Sequence, residues 1–130
     1  MILKGIFIQN GFLKNGQLQV SSLTEEQVIS LLKNNVFVEL KMVSKLYQPL
    51  NFLKSLTEIL KQKDMHKYNF LHFQYGSLLG FLGIFITHKN KILSICGSDL
   101  IKSNKNFKSY ISVFFTKLSL PFFRIIVVKS

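Results

Sequence analysis

Cysteine, carboxylate and tryptophan are the scarce residues of this 130-residue chain, which has one Cys, six Asp and Glu together, and no Trp. One cysteine excludes a disulfide framework and any multi-cysteine metal site. Six carboxylates leave too few groups for most acid–base enzymes, and no Ser/His/Asp or Cys/His pattern stands out. Arginine is nearly missing as well: Arg124 is the sole one among 17 basic residues, the others being lysine. No phosphate-loop or dinucleotide-loop glycine pattern occurs. There are no repeats and no linker, so the chain reads as one domain over residues 1–130.

What is present is a conflict. Hydrophobic residues make up 48% of the chain, which excludes intrinsic disorder, yet the formal charge is +11. Such a chain needs both a core and a polyanion, either a nucleic acid or an anionic membrane surface. The abundance of Phe, Ile, Asn and Lys matches codons rich in A and T, as in an organelle genome. Lysine in place of arginine then reflects mutational pressure, although it gives up the bidentate fork of guanidinium. Met1 to Ile8 is too short and interrupted for a signal sequence, and a transit peptide would be rich in Arg and Ser. The expectation is a mitochondrial protein made in the organelle.

The order of elements follows from periodicity. Ile2–Ile8 predicts a strand, Asn10-Gly11 and Asn15-Gly16 predict turns, and Leu18–Val20 a short second strand. Thr24 with Gln27 three residues on is a capping box for a helix whose apolar face is Val28, Leu31 and Leu32. Val36–Met42 alternates as a strand. Pro49 marks a break, and Asn51–Lys63 has helical spacing. Gly83–His88 and Lys91–Cys96 predict a hairpin around Lys89-Asn90. Phe107, Tyr110, Ile111, Phe114, Phe115 and Leu118 form the strongest helical stripe, expected to pack on Ile84, Ile86, Ile92 and Ile126. Ser103 or Asn104 would cap that helix. Pro121 stops it and Phe122–Val128 closes the chain as a strand. The fold class expected is α+β, a mostly antiparallel sheet with two or three packed helices.

His66, His72 and His88 match no zinc spacing. Cys96 reads as a small core residue. The stretch Tyr68–His88 carries no Asp, Glu, Lys or Arg, so a single membrane span near residues 68–88 is the alternative to buried strands there. Gly76 and Gly80 would then permit close helix approach in lipid. The basic residues are the remaining signal. Lys41, Lys45, Lys54, Lys61, Lys63, Lys67, Lys89, Lys91, Lys102, Lys105, Lys108 and Arg124 are the candidate phosphate contacts, because few acids balance them.

Two segments resemble a family. The first is Asn10-Gly11-Phe12-Leu13 followed by Leu23-Thr24-Glu25-Glu26-Gln27-Val28. The second is Gly83–Ile86, Lys91-Ile92-Leu93, Cys96-Gly97, a helix, then Lys117-Leu118-Ser119-Leu120-Pro121 and Phe123–Val127. Together they resemble large-subunit ribosomal protein sixteen of bacterial nomenclature, in a divergent mitochondrion-encoded form. The resemblance implies an α+β fold and a non-catalytic role in the mitochondrial large ribosomal subunit. It implies contact with large-subunit rRNA near the central protuberance, neighbouring ribosomal proteins and the A-site tRNA, with no cofactor, metal or small-molecule substrate. There are departures: the family's strand Arg is Glu39 here, its glycine–lysine loop becomes Ser77, Leu78 and Leu79, and the helix at about residues 50–67 is an insertion.

Overall fold

A computed structural model of the chain describes residues 2–15, 17–19, 22–62, 64–96 and 107–129. Among the described residues there are seven strands and four helices. They are β1 (Leu3–Asn10), β2 (Phe12–Lys14), β3 (Gln17–Gln19), α1 (Ser22–Lys33), β4 (Val36–Val43) and α2 (Pro49–Leu60). After these come β5 (Phe70–Phe73), α3 (Ser77–Ile84), β6 (Lys91–Cys96), α4 (Phe107–Ser119) and β7 (Ile125–Lys129). Single 3-10 turns precede β5 and β7. Five strands form one sheet in the order β4-β1-β5-β6-β7, and every pairing in it is parallel. Strands β2 and β3 form a separate small hairpin, turning at Asn15 with φ 52°.

This overturns the expected antiparallel α+β sheet. The layout is α/β, with each pair of sheet strands joined through a helix. A parallel sheet is covered on its faces, so its strands read as continuous apolar runs rather than alternating ones. In β1 every residue from Gly5 to Gln9 is buried. The expected hairpin between Gly83–His88 and Lys91–Cys96 does not form either. Ser77–Ile84 is helical instead, and β6 lies parallel between β5 and β7. An apolar run of this length fits a buried helix as well as a buried strand. The helix at residues 50–67, read as an insertion, is the crossover from β4 to β5. Pro49 opens it from the first turn, where a missing N–H costs nothing.

Connections set the faces. One face of the sheet presents Ile6, Ile8, Leu71, Phe73, Leu93 and Ile95 to α2 and α3, and with Leu79, Leu82 and Ile86 they form the core. The other face presents Phe7 and Gln9 toward α1. There Thr24 is buried and its hydroxyl donates to Gln9 Oε1 at 2.8 Å. Thr24 is thus the third residue of α1, where it ties helix to sheet instead of capping.

The small residues of α3 fix its contact with α4. A Cβ on Gly76 would stand 2.6 Å from Thr116 Oγ1, and one on Gly80 2.8 Å from Ser119 Oγ. The buried side of α4 is therefore Val113, Thr116 and Ser119. The aromatic stripe faces largely outward: Phe107 and Phe114 are 75% and 60% exposed. Of its expected partners, Ile84 lies within α3, Ile86 joins the core and Ile92 lies on the opposite sheet face. Ser103 and Asn104, the expected caps, lie outside the described residues, as does the side chain of Cys96.

The uncharged stretch 68–88 is divided between β5, α3 and the turns beside them. Among the described residues no helix is long and apolar enough to cross a membrane.

Candidate nucleic-acid interface

In a parallel sheet all strands start at one edge, and the connecting helices return to that edge. Here each of the five starts carries an exposed cation. Lys33 ends α1 just before β4, Lys4 is the second residue of β1, and Lys67 lies three residues before β5. Lys89 lies two before β6 and Arg124 one before β7. In sheet order they form a row: Lys33, Lys4, Lys67, Lys89, Arg124. With strands about 4.8 Å apart, the row spans about 19 Å. One strand of a duplex places a phosphate about every 3.4 Å of axis, so the row can meet several. Lys61 follows α2 at the same end.

Side-chain amides make this edge rigid. Asn69 Oδ1 accepts from the Lys4 backbone N–H at 2.8 Å, and the Asn69 N–H donates to Lys4 O at 2.7 Å. Asn90 Nδ2 donates to Asn69 O at 2.9 Å. Arg124 Nη1 donates to Asn90 Oδ1 at 2.7 Å, which aims the guanidinium and leaves its other donors exposed. His88 Nδ1 accepts from the Asn90 N–H at 3.0 Å, so Nε2 carries the proton donated to Tyr68 O at 3.0 Å. Three of the five strand starts, β1, β5 and β6, are thereby locked together, and Arg124 ties in β7. Of the row's cations Arg124 is the one this network orders, and an ordered cation loses less entropy on binding than a free one.

The nearby acids are engaged. Asp64 pairs with Lys67 at 3.2 Å, an exposed pair of the kind worth little, which a phosphate can displace. The Glu39 carboxylate beside the Tyr68 hydroxyl holds that phenol above its ordinary value of 10.0, with burial a smaller cause. At the β4–β1 end the row borders an open cavity of about 630 Å³, lined by Lys4, Lys67, Glu39, Tyr68 and Phe37 among others. Phe37 pairs in register with Lys4 and is 48% exposed. A cation row beside an accessible aromatic ring is a pattern that binds single-stranded nucleic acid, phosphates on the cations and a base on the ring.

The candidate cations from the sequence divide accordingly. Lys67, Lys89 and Arg124 come together at this edge, with Lys61 nearby. Lys54 is exposed midway along α2, Lys41 is half-buried on β4, and Lys45 sits at the opposite edge. Lys63, Lys102 and Lys105 lie outside the described residues, as does the side chain of Lys108. Lys91 is a core residue, 7% exposed, donating to Gly83 O at 2.8 Å, with its ammonium 5.3 Å from the Phe123 ring centroid. Lys4 and Lys33 were missed, because only the parallel topology places them in line with the others.

Burial lowers the Lys91 pKa from 10.5. The folded state then releases this proton at lower pH than the unfolded chain does. Stability therefore rises with pH through the window just below 10.5, as the unfolded state binds more protons there. Replacing Lys91 with Met should remove this rise in denaturant titrations and change RNA affinity less than twofold. An affinity loss like that expected for an edge lysine would return Lys91 to the interface.

The carboxyl edge of the sheet holds a smaller crevice, about 290 Å³, between the ends of β1 and β4 and the start of α3. Ligands of open α/β sheets commonly bind on that edge. Among its described lining residues Lys45 is the only charged one. No three His, Cys, Asp or Glu come together as a metal site among the described residues. His72 Nε2 lies 2.6 Å from Ser94 Oγ, His88 serves the edge network, and His66 is exposed.

No family model, curated protein or solved structure matches the chain.

Proposed function

We propose that the protein is a non-catalytic RNA-binding component of a mitochondrial ribosome, held to rRNA by the strand-start edge of its sheet. The row of one exposed cation per strand is the observation that carries this reading. The charge of +11 supports it, and the A+T-type composition supports the organelle. The large subunit is the compartment implied by the resemblance to large-subunit ribosomal protein sixteen. That resemblance also implied an α+β fold, whereas the layout that forms is α/β with an all-parallel sheet. The proposal therefore leaves out the central protuberance and the A-site tRNA. Phosphate contacts position such a protein without reading sequence, so the rRNA is expected to be bound by shape and charge.

The test is a sucrose gradient of detergent-solubilised mitochondria, with the chain followed by mass spectrometry through salt washes. Co-migration with the large subunit at moderate salt, and release at high salt, is the expected result. Migration with membrane complexes, away from rRNA, would overturn the proposal in favour of a membrane protein. Phe37 gives a finer prediction. Base stacking is worth about 1–3 kcal/mol per base, so Phe37→Ala should weaken binding to a single-stranded RNA by roughly 5- to 150-fold. It should weaken binding to duplex RNA much less, and fluorescence anisotropy with the two RNAs measures both.

A further inference from the structure

The cavity at the β4–β1 end of the cation row holds more than phosphates need. Its floor is the first half of β4, where Phe37 and Glu39 alternate with Val38. Their side chains therefore rise from one face of the strand, with backbone positions about 6.6 Å apart, close to the length of a purine. They pair in register with Lys4 and Ile6, so they stand on the sheet face that α2 and α3 cover further along. Lys67 and Tyr68 enter from the turn before β5. A half-exposed ring, an exposed carboxylate and two ammonium groups thus share one cavity of about 630 Å³. Asp64, also in the lining, is taken by Lys67 at 3.2 Å.

We propose that this cavity takes one unstacked guanine of the bound RNA, its face on the Phe37 ring and its Watson–Crick edge on the Glu39 carboxylate. The site so assigned rests on the RNA-binding reading above, and adds to it a base preference that phosphates on the row cannot supply. Stacking on a phenylalanine accepts any base, so the carboxylate is what chooses. It is an acceptor only, with two oxygens side by side. Guanine presents two parallel donors on its Watson–Crick edge, N1–H and the N2 amino group, and pairs with both oxygens at once. Adenine and cytosine each set one amino donor beside a ring-nitrogen acceptor, which the carboxylate repels. Uracil sets one N–H between two carbonyl oxygens, which it repels likewise. Beside Tyr68 the Glu39 carboxylate still has acceptor sites to give, because a carboxylate offers about four. A carboxylate among cations weakens a site for phosphate alone, and a guanine edge turns that repulsion into a contact.

The test uses four single-stranded RNAs of ten residues, all uridine except for guanine, adenine, cytosine or uracil at one central position. Fluorescence anisotropy against the full chain at physiological salt measures affinity. The guanine RNA is expected to bind roughly 5- to 150-fold tighter than the all-uridine RNA, the range for one bidentate base contact. Glu39→Gln gives the sharper readout. Its carboxamide offers one acceptor and one donor, which complements adenine instead of guanine. The variant should lose the guanine preference and bind the adenine RNA at least about threefold tighter than the guanine RNA. Glu39 is exposed on the edge strand of the sheet, so the variant should fold, and circular dichroism checks that it does. Equal binding of the four RNAs, still steeply dependent on salt, would overturn the guanine site and leave the cation row standing. A guanine preference that survives Glu39→Gln would overturn it too, since another group would then be reading the base. Free guanosine monophosphate binding as tightly as the guanine RNA would make the cavity a mononucleotide site and overturn its place on RNA. Binding of none of the four RNAs would overturn both this site and the RNA-binding reading.

Discussion

Reversing Lys89 and Arg124 to glutamate together should flatten the salt dependence of RNA binding. If all five cations of the row contact phosphates, affinity for RNA should fall roughly 100- to 500-fold between 50 and 200 mM salt. Removing two contacts leaves three, and the same change in salt should then cost only roughly 20- to 40-fold. The slope is the diagnostic quantity, since each lost phosphate contact lowers it by about 1 whatever the RNA sequence. Both side chains are exposed. Arg124 does bond Asn90. Arg124→Lys therefore serves as the companion variant, keeping the charge and releasing the amide. It should retain most of the slope. An unchanged slope in the double variant would remove the β6–β7 end of the row from the interface.

The second large effect concerns stability and has opposite signs under the two folds considered. Gly83 lies in α3, where a Cβ would stand 2.5 Å from Phe123 Cζ and 3.2 Å from Phe73 Cζ. Those two rings pack edge to face, with centroids 5.4 Å apart at the heart of the core. Gly83→Val should force the pair apart and cost about 3 kcal/mol, the upper part of the usual overpacking range. That corresponds to a fall of about 10 °C in melting temperature for a chain this size. In an antiparallel hairpin the same position would be a strand residue, and valine there would be neutral or stabilising. Thermal denaturation of the single variant separates the two.

The sequence made some of this legible and concealed the rest for physical reasons. The strands at Ile2–Ile8, Val36–Met42 and Lys91–Cys96 were readable, because β-branched and aromatic runs bounded by Asn and Gly point to strands wherever they lie. So were the helices near Ser22–Lys33 and Phe107–Ser119. What the runs could not reveal was pairing direction. Leu78–Ile86 is apolar on every side, so it lacks the periodicity that separates a helix from a strand, and reading it as a strand produced the antiparallel hairpin. The α4 stripe misled differently. Its large residues pointed to the core, while the real contact uses Thr116 and Ser119 against glycines, a signal of small size rather than hydrophobicity. The site suffered from the same loss. Lysines scattered along the chain look unrelated until parallel strands bring Lys33, Lys4, Lys67, Lys89 and Arg124 to one edge. The same topology takes Lys91 out of the set, because its alternate position in β6 points into the core.

The central claim is that RNA lies along the strand-start edge. Ultraviolet cross-linking of purified mitochondrial ribosomes, followed by mass spectrometry of nucleotide-bearing peptides, tests it most directly. Adducts on the peptides holding Phe37, Tyr68 and the residues around Lys89 and Arg124 are the expected result. Adducts found only around Lys45 and Lys54, or none on this chain in ribosomes that contain it, would contradict the account.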